Sequence, residues 1–280
     1  MRNIYSIVFI LLFFDSSSHL FGINYRSFQK KDRFPYEIKL LEIALKNSLE
    51  NPNLTEIDLD VNYARGMEFL ESGHIDFAFF ASNDKLEKRF RAIKIPILDG
   101  ILGLRINLIH KDDKSLFKNV RKLNDITDKF LAGFNSHWPD KVVLTSNNMP
   151  TTFSSIYKTL FVMLNNKRFT YFPRGINEVW TEQESNIKDA PNIIVEPHIA
   201  FFYPYPVFFF VNKENRFLAN AIEKGLRMAL DNGSFKAWFK EYHAKFIQKA
   251  NIPNRVIIPL NNPDLPSGFK APPNYTSWWK

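Results

Sequence analysis

Arg174 stands between Pro173 and Gly175, just past a segment from Arg168 to Phe172 whose residues suit a strand. The open end of a strand in an α/β sheet is where ligands settle. A guanidinium there offers a planar fork to a carboxylate or a phosphate, although an inter-lobe salt bridge to Glu178 or Glu182 reads the same way. Arg105 lies on the polar side of an alternating run from Leu102 to Ile109 that predicts a strand. It is either a second ligand contact or an arginine shielded by the sheet edge. Asn135-Ser136-His137 precede Trp138-Pro139-Asp140. Small polar residues ahead of a proline mark a helix start, whose free N–H groups hold an anion or are merely capped. Trp138 suits stacking on a ligand and equally suits core packing. Ser82 and Asn83 end an apolar run from Ile75 to Ala81, and the crevice rule makes them the best hydrogen-bonding pair of the first half.

Other chemistries lack their residues. The six histidines show no ligand spacing and the chain has no cysteine, so neither a metal site nor a disulfide is expected. The ten glycines form no phosphate-binding loop, and nothing resembles a nucleophile elbow. A dispersed catalytic set would be recognised by geometry alone. No catalytic residue and no cofactor are therefore expected. The net charge of +8 raises the question of nucleic acid, but the basic residues are interspersed with acids, as in Lys85 to Arg91 around Glu87. That is a solvated helical face, not a phosphate-tracking groove.

These candidates need elements to position them. Residues 1–18 begin Met1-Arg2-Asn3, continue in an apolar run from Ile4 to Phe14 and end in serines, the pattern of a cleaved signal peptide that sends the chain to the periplasm. Tyr36 to Leu49 has helical periodicity, Ile57 to Val61 alternates as a strand does, and a helix from Arg65 to Ser72 meets Gly73 as its C-cap. Ile75 to Ala81 reads as a strand covered on both faces. The β-α-β-α-β order predicts a parallel α/β sheet. A second unit begins near Lys111 to Ser115, with a helix over Leu116 to Leu123, strands over Phe130 to Gly133, Val142 to Leu144 and Arg168 to Phe172, and a helix over Tyr157 to Leu164. Tyr203-Pro204-Tyr205-Pro206 introduces the buried strand Val207 to Val211 and suits a crossing between lobes. Two helices follow, Phe217 to Leu230 and Phe235 to Phe246. A proline-rich strap then closes with Trp278-Trp279.

This order of elements resembles the type II periplasmic binding proteins, and within them the family 3 extracellular solute-binding proteins. Tyr36 to Asn47 is similar to the first helix of that family, Gly66 to Asp76 to its L-x-S-G-x-x-D signature, and Phe90 to Pro96 to its F-x-x-P passage. Trp138-Pro139-Asp140, Arg168 to Gly175, Glu178, Tyr203-Pro204 and Asn262 to Pro266 resemble a divergent branch. The resemblance implies two mixed sheets flanked by helices and joined by a double crossover hinge. Lobe 1 would comprise 19–110 and 206–280 with the C-terminal strap, and lobe 2 would comprise 111–205. It also places Tyr25 and Arg26, after the first strand, against a ligand. Two departures stand out: no arginine follows Ser82-Asn83-Asp84 in register, and Arg174 occupies the place of the family's second-lobe aspartate.

The expected protein is a monomeric, non-enzymatic binder that holds a small anionic solute between its lobes for an ABC-type transporter or a sensor. Its contacts would be Tyr25, Arg26, Ser82, Asn83, Arg105, Asn135, Ser136, Trp138, Arg174 and Glu178. The rival readings are a periplasmic dehydratase with Glu178 as general acid and a degenerate lobe pair that binds a protein.

Overall fold

The computed structural model describes residues 24–50, 52–56, 61 and 63–272, with Thr276. The expected signal peptide, most of the run from Ile57 to Val61 and the terminal tryptophans lie outside the described residues.

The chain opens with β1 (Asn24–Ser27), α1 (Pro35–Ser48) and β2 (Asn53–Glu56), then α2 (Tyr63–Ser72), β3 (Phe77–Ala81), α3 (Asp84–Arg89) and β4 (Arg91–Ile93). Pro35 sits in the first turn of α1, where its missing N–H has no partner to lose. Leu40, Leu41, Ala44 and Leu45 form its buried stripe. Gly73, at φ +76°, supplies the left-handed turn after α2. The long strand β5 (Leu104–His110) crosses into α4 (Asn124–Thr127), β6 (Ala132–Asn135), α5 (Lys141–Ser146), β7 (Thr151–Ser154), α6 (Tyr157–Asn165), β8 (Tyr171–Gly175), α7 (Val179–Ser185) and β9 (Ile193–Val195). Return is through β10 (Ile199–Phe202) to β11 (Val207–Val211), α8 (Arg216–Asp231), α9 (Ser234–Ala250) and β12 (Val256–Pro259).

The sheets are mixed. In the first lobe β11 lies between β3 and β4 and runs antiparallel to both, so the parallel sheet expected from the element order is corrected by a strand that returns late in the chain. The parallel pair β1–β2 attaches to this sheet through the Asp76 N–H, which donates to the Arg26 carbonyl, and through the Gln29 amide, which bonds both backbone groups of Phe79. The second sheet runs β12-β10-β5-β8-β6-β7, with β9 also paired to β5. Pro259 ends β12 at the sheet edge, where a missing donor is harmless. Where the two crossovers meet, the Tyr203 N–H donates to the Gly103 carbonyl at 3.2 Å. A Cβ at Gly103 would stand 2.0 Å from the Tyr203 oxygen, so glycine is required there.

Three local expectations are corrected. Val142 to Leu144 is helix, not strand: Val143 and Leu144 are buried side by side in α5, and three residues are too few to tell a period of 2 from one of 3.6. Leu116 to Leu123 is a series of turns, held by bonds such as the Val120 N–H to the Phe117 carbonyl, with Phe117 and Val120 buried. A buried pair three residues apart suits such turns as well as a helix. Finally, β8 ends at Gly175 and not at Phe172, which puts Arg174 inside the strand.

Apolar packing joins the lobes. The core under α1, α8 and α9 reaches Leu104, Ile106, Ile176 and Ala200 of the larger sheet, and Ala81, Leu102, Trp180 and Val195 touch both cores. Among the described residues no helix is long and apolar enough to cross a membrane.

Candidate functional site

Arg105 projects from β5 opposite Phe201 of β10 and Gly175 of β8. Its Nε–H donates to the Tyr203 hydroxyl at 2.8 Å and its Nη2 to Asp140 Oδ2 at 2.7 Å, and the Tyr203 hydroxyl donates to the same Oδ2 at 2.7 Å. The three groups close a buried ring. Burial works against the Arg105 charge, but Tyr203 and the Asp140 and Glu178 carboxylates outweigh it and hold the guanidinium firmly protonated.

Arg174 lies beside Ile106 across the β5–β8 ladder, so its Cα–Cβ bond leaves the opposite face of the sheet from that of Arg105, and the two guanidinium groups meet only at Glu178, just past the end of β8. Its Nη2 donates to Glu178 Oε2 at 2.9 Å, and its Nε and Nη2 grip the two oxygens of Glu182. The guanidinium carbon lies 4.2 Å from the centroid of the Trp138 ring, which in turn stacks on Phe172 at 9°. Cation–π attraction therefore adds to the two ion pairs.

Glu178 links the two arginines. Its Oε2 stands 2.9 Å from Arg174 Nη2, 3.9 Å from Arg105 Nη1 and 3.3 Å from the Gly175 N–H. Burial pushes the Glu178 carboxyl up, yet Arg174, Arg105 and the Gly175 amide together hold it below the usual carboxylate range. Two guanidinium groups thus face three carboxylates: Asp140, Glu178 and Glu182.

Between the lobes lies a cavity of about 20 Å³, lined by Ala81, Ser82, Asn83, Pro139, Asp140, Val142, Tyr205, Asn262 and Asp264. It has room for a single water. Ser82 is buried and donates from its hydroxyl to Glu87 Oε1 at 2.9 Å. Asn83 Oδ1 caps α3 by accepting from the Leu86 N–H. Asp140 faces both this cavity and Arg105, so first-lobe polar groups and the arginine cluster meet at one carboxylate.

The remaining expected residues have local partners. Asn135 is buried and its Oδ1 accepts from the His137 N–H, which shapes the β6–α5 turn. In the same turn the Ser136 carbonyl accepts from Lys141 Nζ and the Ser136 N–H donates to the Ser154 carbonyl. Arg26 is bound to Asp76 and to the Gly73 carbonyl. Because β1 places Arg26 beside Asp76 and the following segment brings Gln29 to Phe79, Arg26 lies at the opposite end of β3 from Ser82. Tyr25, opposite Leu54 in β1, shares that end of the sheet.

Asp140, Tyr203, Asn262 and Asp264 lie around the site but were not among the expected contacts, and Glu182, named from the sequence as a salt-bridge partner of Arg174, takes that role. The signal for the first four was present: Trp138-Pro139-Asp140, Tyr203-Pro204 and Asn262-Pro263-Asp264 are among the segments that set this branch apart, and they meet around Asp140. Among the described residues no group of three or more potential metal ligands occurs.

No family model and no curated protein matches the chain in sequence. Solved structures do match its fold. An ancestral arginine-binding protein bound to arginine superposes with a TM-score of 0.53 at 16% identity, covering 78% of this chain and 97% of the other. The chain has the two-lobed fold of amino-acid ABC transporter substrate-binding proteins. One such protein, from Streptococcus pneumoniae and bound to L-arginine, is 14% identical over 75% of this chain and 82% of its own, at a TM-score of 0.52. An ancestral amino-acid-binding protein, a precursor of cyclohexadienyl dehydratase, is 11% identical over 78% of this chain and 94% of its own, also at 0.52.

Proposed function

We propose that this chain is an extracytoplasmic solute-binding protein that closes its lobes on a small anionic solute, as a monomer, and presents it to an ABC-type transporter or a sensor. The observation that supports this reading best is the convergence of two buried guanidinium groups, from different strands, on a single carboxylate position, with Arg105 also bound to Asp140, which lines the cavity that Ser82 and Asn83 share. A solute carboxylate or phosphate at that position would receive charge-assisted bonds from both arginines. The structural neighbours that hold arginine, whose net charge is positive but which carries a carboxylate, are in keeping with a small carboxylate-bearing solute. Export by residues 1–18 belongs to the same proposal, as does a boundary that gives 19–110 with 206–280 to one lobe and 111–205 to the other, save that β5 and β12 pair into the larger sheet. Closure would select the arrangement in which both lobes touch the solute.

The state of Glu178 counts against the dehydratase reading. A general acid must hold a proton near neutral pH, and its two arginine neighbours favour the ionised carboxylate.

Calorimetry on Arg174 variants tests the proposal. A charge-assisted hydrogen bond contributes roughly 1.5–3 kcal/mol, so Arg174→Ala is expected to weaken solute binding about 10- to 100-fold. Arg174→Lys, which keeps the charge but loses the fork, should fall between. Unchanged affinity in both would contradict the proposal. Arg174→Ala is also expected to lower the unfolding midpoint, because it strands the Glu178 and Glu182 carboxylates on a half-buried surface.

A further inference from the structure

We propose that the Glu178 carboxylate is an internal occupant of the anion site: it holds the position that a solute carboxylate takes, and it must swing out before one can bind. This rests on the solute-binding reading above and adds to it the residue that sets the threshold for binding.

Three observations lead here. First, each arginine already has an acid of its own. Arg105 is paired with Asp140 inside the ring closed by Tyr203, and Arg174 is gripped on both oxygens by Glu182. Glu178 is the third acid, shared between the two cations and held by one direct bond to Arg174, a longer approach to Arg105 and the Gly175 N–H. Second, it is the acid closest to water. Its side chain is 34% exposed, against 6% for Asp140 and 15% for Glu182, so of the three acids it has the shortest way back to solvent. Third, it sits at the N-cap of α7, outside the helix proper, so its side chain can rotate away without unwinding a turn.

Removing the Glu178 carboxylate leaves Arg174 Nη2, Arg105 Nη1 and the Gly175 N–H pointing at one empty acceptor position. Those are the donors a carboxylate needs. The exchange is balanced: one carboxylate leaves the guanidinium groups as another arrives, and the charge of the cluster does not change. A tethered competitor acts at a high effective concentration, in the millimolar range or above. A bare monocarboxylate therefore cannot displace Glu178, and a solute must add contacts elsewhere, for which the cavity wall of Ser82 and Asn83 is connected to the cluster through Asp140. Glu178 thus acts as a specificity residue that rejects simple acids.

Chemical rescue with acetate tests the idea on the full chain. Glu178→Ala is expected to lower the thermal midpoint, and acetate is expected to restore it saturably while chloride at equal ionic strength does not. Wild type should be indifferent to acetate. Glu178→Gln keeps the shape and an acceptor oxygen without the charge, and it should bind acetate at least tenfold more tightly than wild type by calorimetry. Acetate and chloride acting alike on Glu178→Ala, with no gain in Glu178→Gln, would overturn the inference. If wild type then still binds a larger carboxylate, the solute-binding reading stands without the placeholder. If neither wild type nor variant takes any carboxylate, both fall.

Discussion

His243 shows how a single residue can be clear in its environment and silent in the sequence. It is 1% exposed, its ring lies 4.7 Å from Tyr36, 4.8 Å from Phe239 and 4.9 Å from Tyr242 between centroids, and neither ring nitrogen has a hydrogen-bond partner among the described residues. Burial lowers its pKa to about 3. The folded protein thus keeps this ring neutral, while the unfolded chain takes up a proton below about 6.5. Stability is present above pH 6.5 and is lost as pH falls from there towards 3, on the order of 4–5 kcal/mol in all. Glu37 works in the other direction: burial pushes its carboxyl up to about 7, so its contribution is lost as pH rises from about 4.5 to 7. Subtracting the two profiles separates them. His243→Phe is expected to flatten the acid limb of a denaturant-midpoint profile and leave the limb from Glu37 in place; an unchanged acid limb would mean that the ring is solvated. The sequence alone does not single His243 out: Phe239, Phe246 and Ile247 share its side of α9, but Lys240, Glu241 and Lys245 lie among them, and a histidine suits either setting. Arg174 was legible for the opposite reason, since Pro173 and Gly175 bracket it and Glu178 and Glu182 follow at helical spacing.

At the level of elements, long periodic segments declared themselves and short ones did not. Helices α1, α8 and α9 follow their apolar stripes to within a few residues, and the continuous apolar runs of β3 and β11 are strands buried on both faces. The three-residue run Val142 to Leu144 and the pair Phe117 and Val120 could not settle a period, and tertiary packing decided them. Glycine 225 marks the closest helix contact. A Cβ there would stand 1.8 Å from the Ala44 carbonyl oxygen, so α8 packs on the backbone of α1. Gly225→Ala is expected to force the helices apart and cost about 2–3 kcal/mol. In a chain of this size that lowers the thermal midpoint by roughly 4–6 °C. A midpoint within about 1 °C of wild type would show that the helices are not in such contact.

Over the whole molecule, the two crossovers read from the sequence are not the last connection between the lobes. After α9 the chain returns to the larger sheet as β12, in parallel with β10, and Asn261 exchanges two hydrogen bonds with Asn147. The following segment passes Asn262 and Asp264 along the interlobe cavity. It then reaches the first lobe, where Ser267 bonds both carboxylate oxygens of Asp84 and Phe269 packs on Phe208. The prolines of this segment made an extended strap legible. Its strand and its place beside the cavity were not, because both depend on partners more than 50 residues away in sequence. The strap therefore makes one wall of the seam in which the solute is proposed to sit.

The most direct test is a thermal-melting screen of the chain without residues 1–18 against carboxylates, phosphates and short peptides, with each responding compound recovered afterwards and identified. A ligand at about 100 times its Kd stabilises the folded state by roughly 2.7 kcal/mol, which for a chain of this length is about 4–6 °C. The account predicts at least one anionic compound that raises the midpoint saturably by such an amount and is recovered unchanged. A panel without any saturable shift, or a responding compound that is consumed, would contradict it.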